Sequence, residues 1–378
     1  MKVNDNKENI RGFGFFSTLF LSLVGFGVFT YSQNIGKVLG TTGILMTLLY
    51  GLGYLFFVYM INKVIKLHEY KEFDKIIKNL FGKFIGRILL FLISFCIIFL
   101  ISIQLRIFID SIKMYIFQSI SSEFMITITL FVCYYVVRYG NKVLVGLNEI
   151  TFVFLIICSI IIFLIVYKNL DFTNILPFEV QGEYSFFMGF LTLSSFFSGI
   201  IILFYLLPKY KLKDTKKIHI TYKAVFFSSI FLSIVFLICV CSLNIKQTIK
   251  SIWPIILSFT TIDIKGGFVG RVEGIIITIA IIFFIINFIN LYFYASLINS
   301  KSLDMYEHKI SSTMFLPIIY IVSLIPKDLN NLYFITNKIA SPICLIISIF
   351  LPIVLLIATY VRSIFKVKGD VTNEKNNN

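Results

Sequence analysis

Ten apolar runs, most of them about 20 residues long, follow one another along this chain, at 12–35, 42–61, 84–117, 124–137, 143–167, 184–207, 222–243, 272–297, 311–325 and 339–361. A helix of that length crosses a hydrocarbon core of about 30 Å. A soluble core does not need one such run after another. Lipid is therefore the solvent, and in lipid a helix is the simplest segment that satisfies its own backbone. Composition agrees: 58% of the 378 residues are hydrophobic and 14% charged, where soluble domains carry about 25% charged residues. The runs at 124–137 and 311–325 are short for a span, which needs about 17 residues unless its flanks snorkel. The expected fold is an all-α polytopic membrane protein of about ten transmembrane helices.

The net charge of +15 invites a nucleic-acid reading, but a nucleic-acid domain clusters its charge on a folded polar face. Here the lysines and arginines sit in short segments between apolar runs, and alternate segments differ. Counting from the N-terminus, one set holds 24 of them and the other 9, with Arg106 set aside inside the third run. Basic residues are retained on the cytoplasmic side. The expected topology is thus N-in and C-in, and the loss of one helix would scramble the alternation after it. Segment 1–11 is polar and carries no cleavable signal pattern, so the first helix is expected to remain. Segment 366–378 is polar and expected to be a disordered cytoplasmic tail. Stretch 62–83 mixes apolar residues with lysines as an amphipathic surface helix would, either as a connector or as a partner-binding element. Segment 244–270 is the longest external one, a lid or a plain loop.

Gly25-Phe26-Gly27 lies about 12 residues into the first run, near the bilayer midplane. Two glycines there allow close helix packing. They also allow an unwound break, whose half-helix N-terminus would turn free N–H groups toward an anionic ligand group. The sixth run carries Ser194-Ser195-Phe196-Phe197-Ser198-Gly199 at a comparable depth and crosses in the opposite sense. A five-helix repeat has an odd number of crossings, so its second copy is inverted. Interrupted helices at the first position of each half point to a transporter-type binding site between repeats at about 12–167 and 184–361. In the eighth run Asn287, Asn290 and Tyr294 share one helical face, as interhelical glue or as a cavity lining. Arg106 and Asp110 are one turn apart and can pair or snorkel separately. Glu149 can couple protons or accept hydrogen bonds, and Glu273 beside Arg271 reads as an interfacial ion pair. No HExxH, GxSxG or phosphate-binding glycine loop is present, and the six cysteines lie in apolar runs without ligand spacing. No enzyme, cofactor, metal or disulfide framework is expected.

Over 13–365 the chain resembles the spore germination permease family, the membrane-embedded B subunits of nutrient germinant receptors, a branch of the amino acid, polyamine and organocation transporters. The residues that carry the likeness are Leu105-Arg106 followed by Asp110, Val137-Arg138-Tyr139-Gly140 leading to Asn148-Glu149-Ile150, Leu170-Asp171-Phe172-Thr173-Asn174-Ile175-Leu176-Pro177, and Gly270-Arg271-Val272-Glu273. The resemblance implies five-plus-five inverted repeats with broken first and sixth helices, in the inner membrane of the spore. It implies a small germinant, commonly an amino acid, bound between the repeats, with the receptor's A and C subunits as partners. An amino acid or cation symporter and a scaffold subunit that binds nothing are the alternatives. The sixth helix departs from the family's usual Pro-Phe-Gly-Glu: this chain has Phe196-Phe197-Ser198-Gly199, and the carboxylate is absent at Gly199.

Overall fold

A computed structural model describes residues 10–25, 27–115, 119–167, 170–177, 182–210, 214–260 and 269–376, and of 115, 214–216, 260, 269–273 and 364–376 the backbone alone. The regular elements described are helical, with one isolated parallel bridge joining Ile10 to Tyr210. Seven helical stretches among the described residues are long and apolar enough to cross a membrane: Gly27–Leu67, Lys83–Met114, Asn141–Val166, Glu183–Lys209, Lys217–Lys250, Gly274–Ser302 and Leu329–Ser363. Gly12–Val24 and His308–Leu324 are shorter apolar helices. The chain is an all-α, polytopic, integral membrane protein.

The first expected run divides into α1 (Gly12–Val24) and α2 (Gly27–Leu39), separated at Gly25 and at Phe26, which lies outside the described residues. A 3₁₀ turn, Gly40–Thr42, leads to α3 (Gly43–Leu67). The amphipathic stretch at 62–83 is not one surface helix. α3 runs on to Leu67, Glu69 and Tyr70 turn the chain with positive φ, and the short α4 (Phe73–Phe81) follows. Its apolar face, Phe73, Ile76 and Ile77, is buried against protein rather than lipid: Phe73 lies on Phe204 with ring centroids 4.7 Å apart.

α5 (Lys83–Tyr115), α6 (Ser122–Arg138) and α7 (Asn141–Val166) complete the first half. α6 has 17 residues, about 25 Å at 1.5 Å per residue, and opens on Ser121, whose hydroxyl accepts from the Phe124 N–H. In the sixth run α8 (Glu183–Phe196) gives way to a 3₁₀ stretch, Phe197–Ile202, before α9 (Leu203–Lys209). The break expected there is a change of helical pitch, of the kind that marks hinges. α10 (Asp214–Lys250) bends at Asn244, whose φ of 61° ends the span where the apolar run ends. α11 (Pro254–Thr260) follows, and Trp253 just before it is buried, so the described part of segment 244–270, expected to be external, packs onto the bundle.

α12 (Val269–Ser302) and α13 (His308–Leu324) precede a tenth helical stretch made of α14 (Leu329–Ile335), α15 (Ser341–Leu345) and α16 (Leu351–Asn376), joined by two π-helical turns, Thr336–Ala340 and Ile346–Phe350. The backbone is helical through Asn376, which includes most of the segment expected to be a disordered tail. α1 sits at the centre, packed on α7, α10, α12 and the 3₁₀ stretch of the sixth run. Phe15, Leu19, Phe20, Leu21, Leu23 and Val24 are all fully buried, the pattern of a helix apolar all round. α7 is peripheral and turns Ile150, Phe154, Ile157, Ile161 and Leu164 outward, where lipid solvates them.

Candidate functional site

The site forms where α1 stops. A helix leaves the carbonyls of its last turn without successors inside it, so something else must serve them. On α12, Asn287 reaches that turn: its Nδ2 donates to the Ser22 carbonyl at 2.7 Å and more weakly, at 3.4 Å, to the Leu21 carbonyl, which also accepts the Gly25 N–H at 3.2 Å. With two carbonyls facing the amide, the nitrogen must be the atom on that side. The other atom, Asn287 Oδ1, is buried and has no hydrogen-bond partner among the described residues. One turn on, Asn290 Nδ2 donates to Ser22 Oγ at 3.0 Å and to Asn148 Oδ1 at 3.2 Å. Asn148, on α7, donates back to Asn290 Oδ1 at 2.9 Å and to Thr18 Oγ1 at 3.1 Å. Three helices are thus tied by carboxamides and hydroxyls at the end of α1.

Small residues set the spacing. A Cβ on Gly25 would overlap Asn287 Cβ and stand 2.5 Å from the Phe283 carbonyl oxygen, so α1 and α12 touch through the missing side chain. A Cβ on Gly199 would run into the Ser22 carbonyl. The 3₁₀ stretch lies against the backbone of α1 here, and no side chain fits between them. Gly27, opening α2, is looser. Its nearest neighbours would be Leu232 Cδ2 at 2.9 Å and Phe196 Cδ1 at 3.6 Å. Phe196 in turn meets Tyr31 edge to face at 5.2 Å. The end of α1, the start of α2 and the 3₁₀ stretch converge on α12, and the junction is closed: Asn287 and Asn290 are each 2% exposed.

The residues singled out in the sequence fall into three groups. Gly25, Gly27, Gly199, Asn287 and Asn290 come together, with Ser198 buried in the 3₁₀ stretch. Ser194 and Ser195 bond back to the carbonyls of Phe190 and Leu191 in their own helix. The charges lie elsewhere. Arg106 Nε and Asp110 Oδ2 pair at 3.2 Å, both largely buried. Glu149 packs over Gly14, its Oε1 2.5 Å from where a Cβ would stand. Phe26 and the side chain of Glu273 lie outside the described residues. The sequence does not single out Thr18, Ser22 or Asn148 as site residues. Their signal was faint: Thr18 and Ser22 are one turn apart just before Gly25, and Asn148 sits beside the more conspicuous Glu149.

A second concavity, of about 800 Å³, opens at the lysine-rich end of the bundle among α4, α9, α12 and the ends of α6 and α13. Glu72 lies in its wall. Burial opposes its charge, but Lys301, Lys75 and Lys209 outweigh that and hold its carboxyl below the usual range. Asp74 goes the other way, raised by burial and then by the charge of Glu72.

The family model described as "Spore germination protein" matches residues 9–332. Spore germination protein A2 of Bacillus subtilis is 26% identical over 320 residues, 82% of this chain and 85% of the relative. Spore germination protein B2 of the same organism is 25% identical, over 67% of this chain and 68% of the relative. GerQB of Bacillus cereus is 27% identical, over 70% and 72%. The match covers both the junction of α1 with α2 and the carboxamides of α7 and α12 that close on it, and the chain belongs to the spore germination permease family.

Proposed function

We propose that this chain is the membrane subunit of a nutrient-germinant receptor and that it binds a small zwitterion, an amino acid, where α1, α2, the 3₁₀ stretch and α12 meet. The observation that carries the reading is Asn287 Oδ1, a buried acceptor without a partner among the described residues, beside the end of α1. A buried polar atom left unpaired costs about 1–3 kcal/mol, and a ligand ammonium would relieve that cost. The N-terminus of α2, opening at Gly27, offers N–H groups and a positive dipole end for the ligand carboxylate. Ligand entry requires the halves to part, and the change of pitch at Phe197–Ile202 is a natural place for that movement.

In this reading the ten helices form two inverted repeats of five, with both termini cytoplasmic, in the inner membrane of the spore. The receptor's A and C subunits take up the movement and signal germination. A symporter would use the same pocket, and uptake of labelled amino acid into vesicles separates the two readings. The test is a germination dose–response of spores carrying Asn287→Ala beside wild type. A half-maximal germinant concentration raised about tenfold or more, at near-normal protein abundance, supports the site. An unchanged concentration overturns it.

A further inference from the structure

The cavity at the lysine-rich end plays no part in the germinant site, yet it is built like a ligand site. Its volume of about 800 Å³ falls in the range of about 300–1,000 Å³ usual for such sites. Its interior is apolar, with Phe204, Phe293 and Leu297 in the lining. Tyr294 joins them, and its hydroxyl is buried with no hydrogen-bond partner among the described residues. An unpaired donor in such a place is a call for an acceptor from outside.

The charges of the wall are unevenly matched. Its three carboxylates each have a lysine at hand: Glu72 with Lys75 at 3.2 Å, Asp74 with Lys78 at 4.0 Å, and Glu307 with Lys309 at 3.8 Å. Arg138, Lys209 and Lys301 also line the cavity, and among the described residues none of them has a carboxylate within 4 Å. Lys209 lies over the Tyr205 ring at 4.6 Å and Arg138 over Tyr134 at 5.6 Å, contacts that orient a cation without neutralising it. Lys301 and Lys209 also act on Glu72 at longer range, and Lys78 is shared with Asp304, but the cations around the cavity outnumber the carboxylates and the balance of charge is positive, above an apolar floor.

Two further features say which kind of anion fits. Tyr135, Tyr139 and Tyr306 line the cavity and are exposed, as tyrosines at the level of lipid headgroups are. Next along the chain, Ser302, Leu303 and Asp304 form one side of a shallow groove whose other side is Arg87, Ile88, Phe91 and Leu92 of α5. Ile88, Phe91, Leu92 and Leu303 are exposed, so the groove presents an apolar track beside the charged cavity. A soluble phosphate would use only the cavity, whereas a phospholipid has a part for each.

We infer that the cavity binds the phosphate headgroup of an anionic phospholipid, with Arg138, Lys209 and Lys301 as its cationic contacts, Tyr294 as a neutral donor, and an acyl chain along α5. Basic pockets between helices on a cytoplasmic face are suited to such headgroups.

The test uses the purified full chain in a neutral detergent and reads the rise in melting temperature on titration with short-chain phosphatidylglycerol, short-chain phosphatidylcholine or glycerol 3-phosphate. Phosphatidylglycerol should stabilise the wild type saturably, and the other two should not. Arg138→Gln, Lys209→Gln and Lys301→Gln combined should weaken the response on the order of 100-fold, about fivefold for each basic residue removed. A control with Lys71→Gln, Lys83→Gln and Lys142→Gln, exposed lysines outside the cavity, should respond as wild type does. If the triple variant does not accumulate, Lys209→Gln and Lys301→Gln singly should each show their share of the loss. An equal response to phosphatidylcholine, or an equal loss in the control, overturns the site. An equal response to glycerol 3-phosphate overturns the lipid and leaves a soluble phosphate as its ligand.

Discussion

Alanine at Gly25 should damage this protein far more than alanine at Gly27, although the two glycines are two residues apart and look equivalent in sequence. At Gly25 the new methyl would overlap Asn287 Cβ and stand 2.5 Å from the Phe283 oxygen, where carbon contacts want about 3.5 Å or more. Both neighbours belong to α12, one of them backbone, so the helix as a whole must retreat by about 1 Å. Overpacking of this kind costs about 1–3 kcal/mol. The retreat also stretches the Asn287 bonds to Ser22 and Leu21, and hydrogen bonds between membrane helices are worth about 0.6 kcal/mol on average and up to about 1.7. The total is about 2–4 kcal/mol. At Gly27 the methyl meets the far end of Leu232 at 2.9 Å, which a rotamer adjustment relieves for less than about 1 kcal/mol. Unfolding of the purified variants in mixed micelles measures both. Equal stabilities for Gly25→Ala and Gly27→Ala would refute the packing argument.

The reciprocal carboxamides of Asn148 and Asn290 should be coupled by about 1–2 kcal/mol in a double-mutant cycle with alanine, two mutual hydrogen bonds at the membrane value; strictly additive losses would show that the pair is not formed. Arg106→Met and Asp110→Leu should each destabilise more than the double variant does, because either change alone leaves a largely buried charge unpaired, and additive effects would instead mean independent snorkelling. In a background cleared of the six native cysteines, Lys250→Cys should label with an impermeant maleimide on intact cells while Lys71→Cys and Lys142→Cys should not; labelling at 71 or 142 would reverse the topology. Lys250 serves here rather than Trp253, which is buried.

The apolar runs located the helices well because lipid leaves a spanning segment little choice: its length, its lack of charge and its end signals all follow from one constraint. The end of the seventh span at Leu243, before the turn at Asn244, was legible in this way. So was the special character of Gly25 and of the serine-rich sixth run, because small residues occur together at comparable depth in the first and sixth runs. What covers a given face was not legible. α4 has the pattern of a helix lying on lipid, but Phe204, more than 100 residues later, occupies that face. The Thr18–Asn148–Asn290–Ser22 network was hidden for a related reason. Hydroxyls in these helices mostly bond to a carbonyl four residues back, as Ser102, Ser111 and Thr151 do. Nothing in the local sequence distinguishes Thr18, whose oxygen accepts from a helix 130 residues away.

The central claim is that the junction at the end of α1 binds a germinant amino acid through Asn287. Its most direct test is equilibrium binding to the purified full chain in nanodiscs, with each of the proteinogenic amino acids in turn displacing a labelled mixture of them. The account predicts saturable binding of one or a few amino acids. Asn287→Ala should weaken that binding about 10- to 100-fold, the worth of one hydrogen bond to a charged group, while the variant unfolds within about 2 kcal/mol of wild type. Binding that Asn287→Ala leaves unchanged, or no binding to a well-folded wild-type chain, would contradict it.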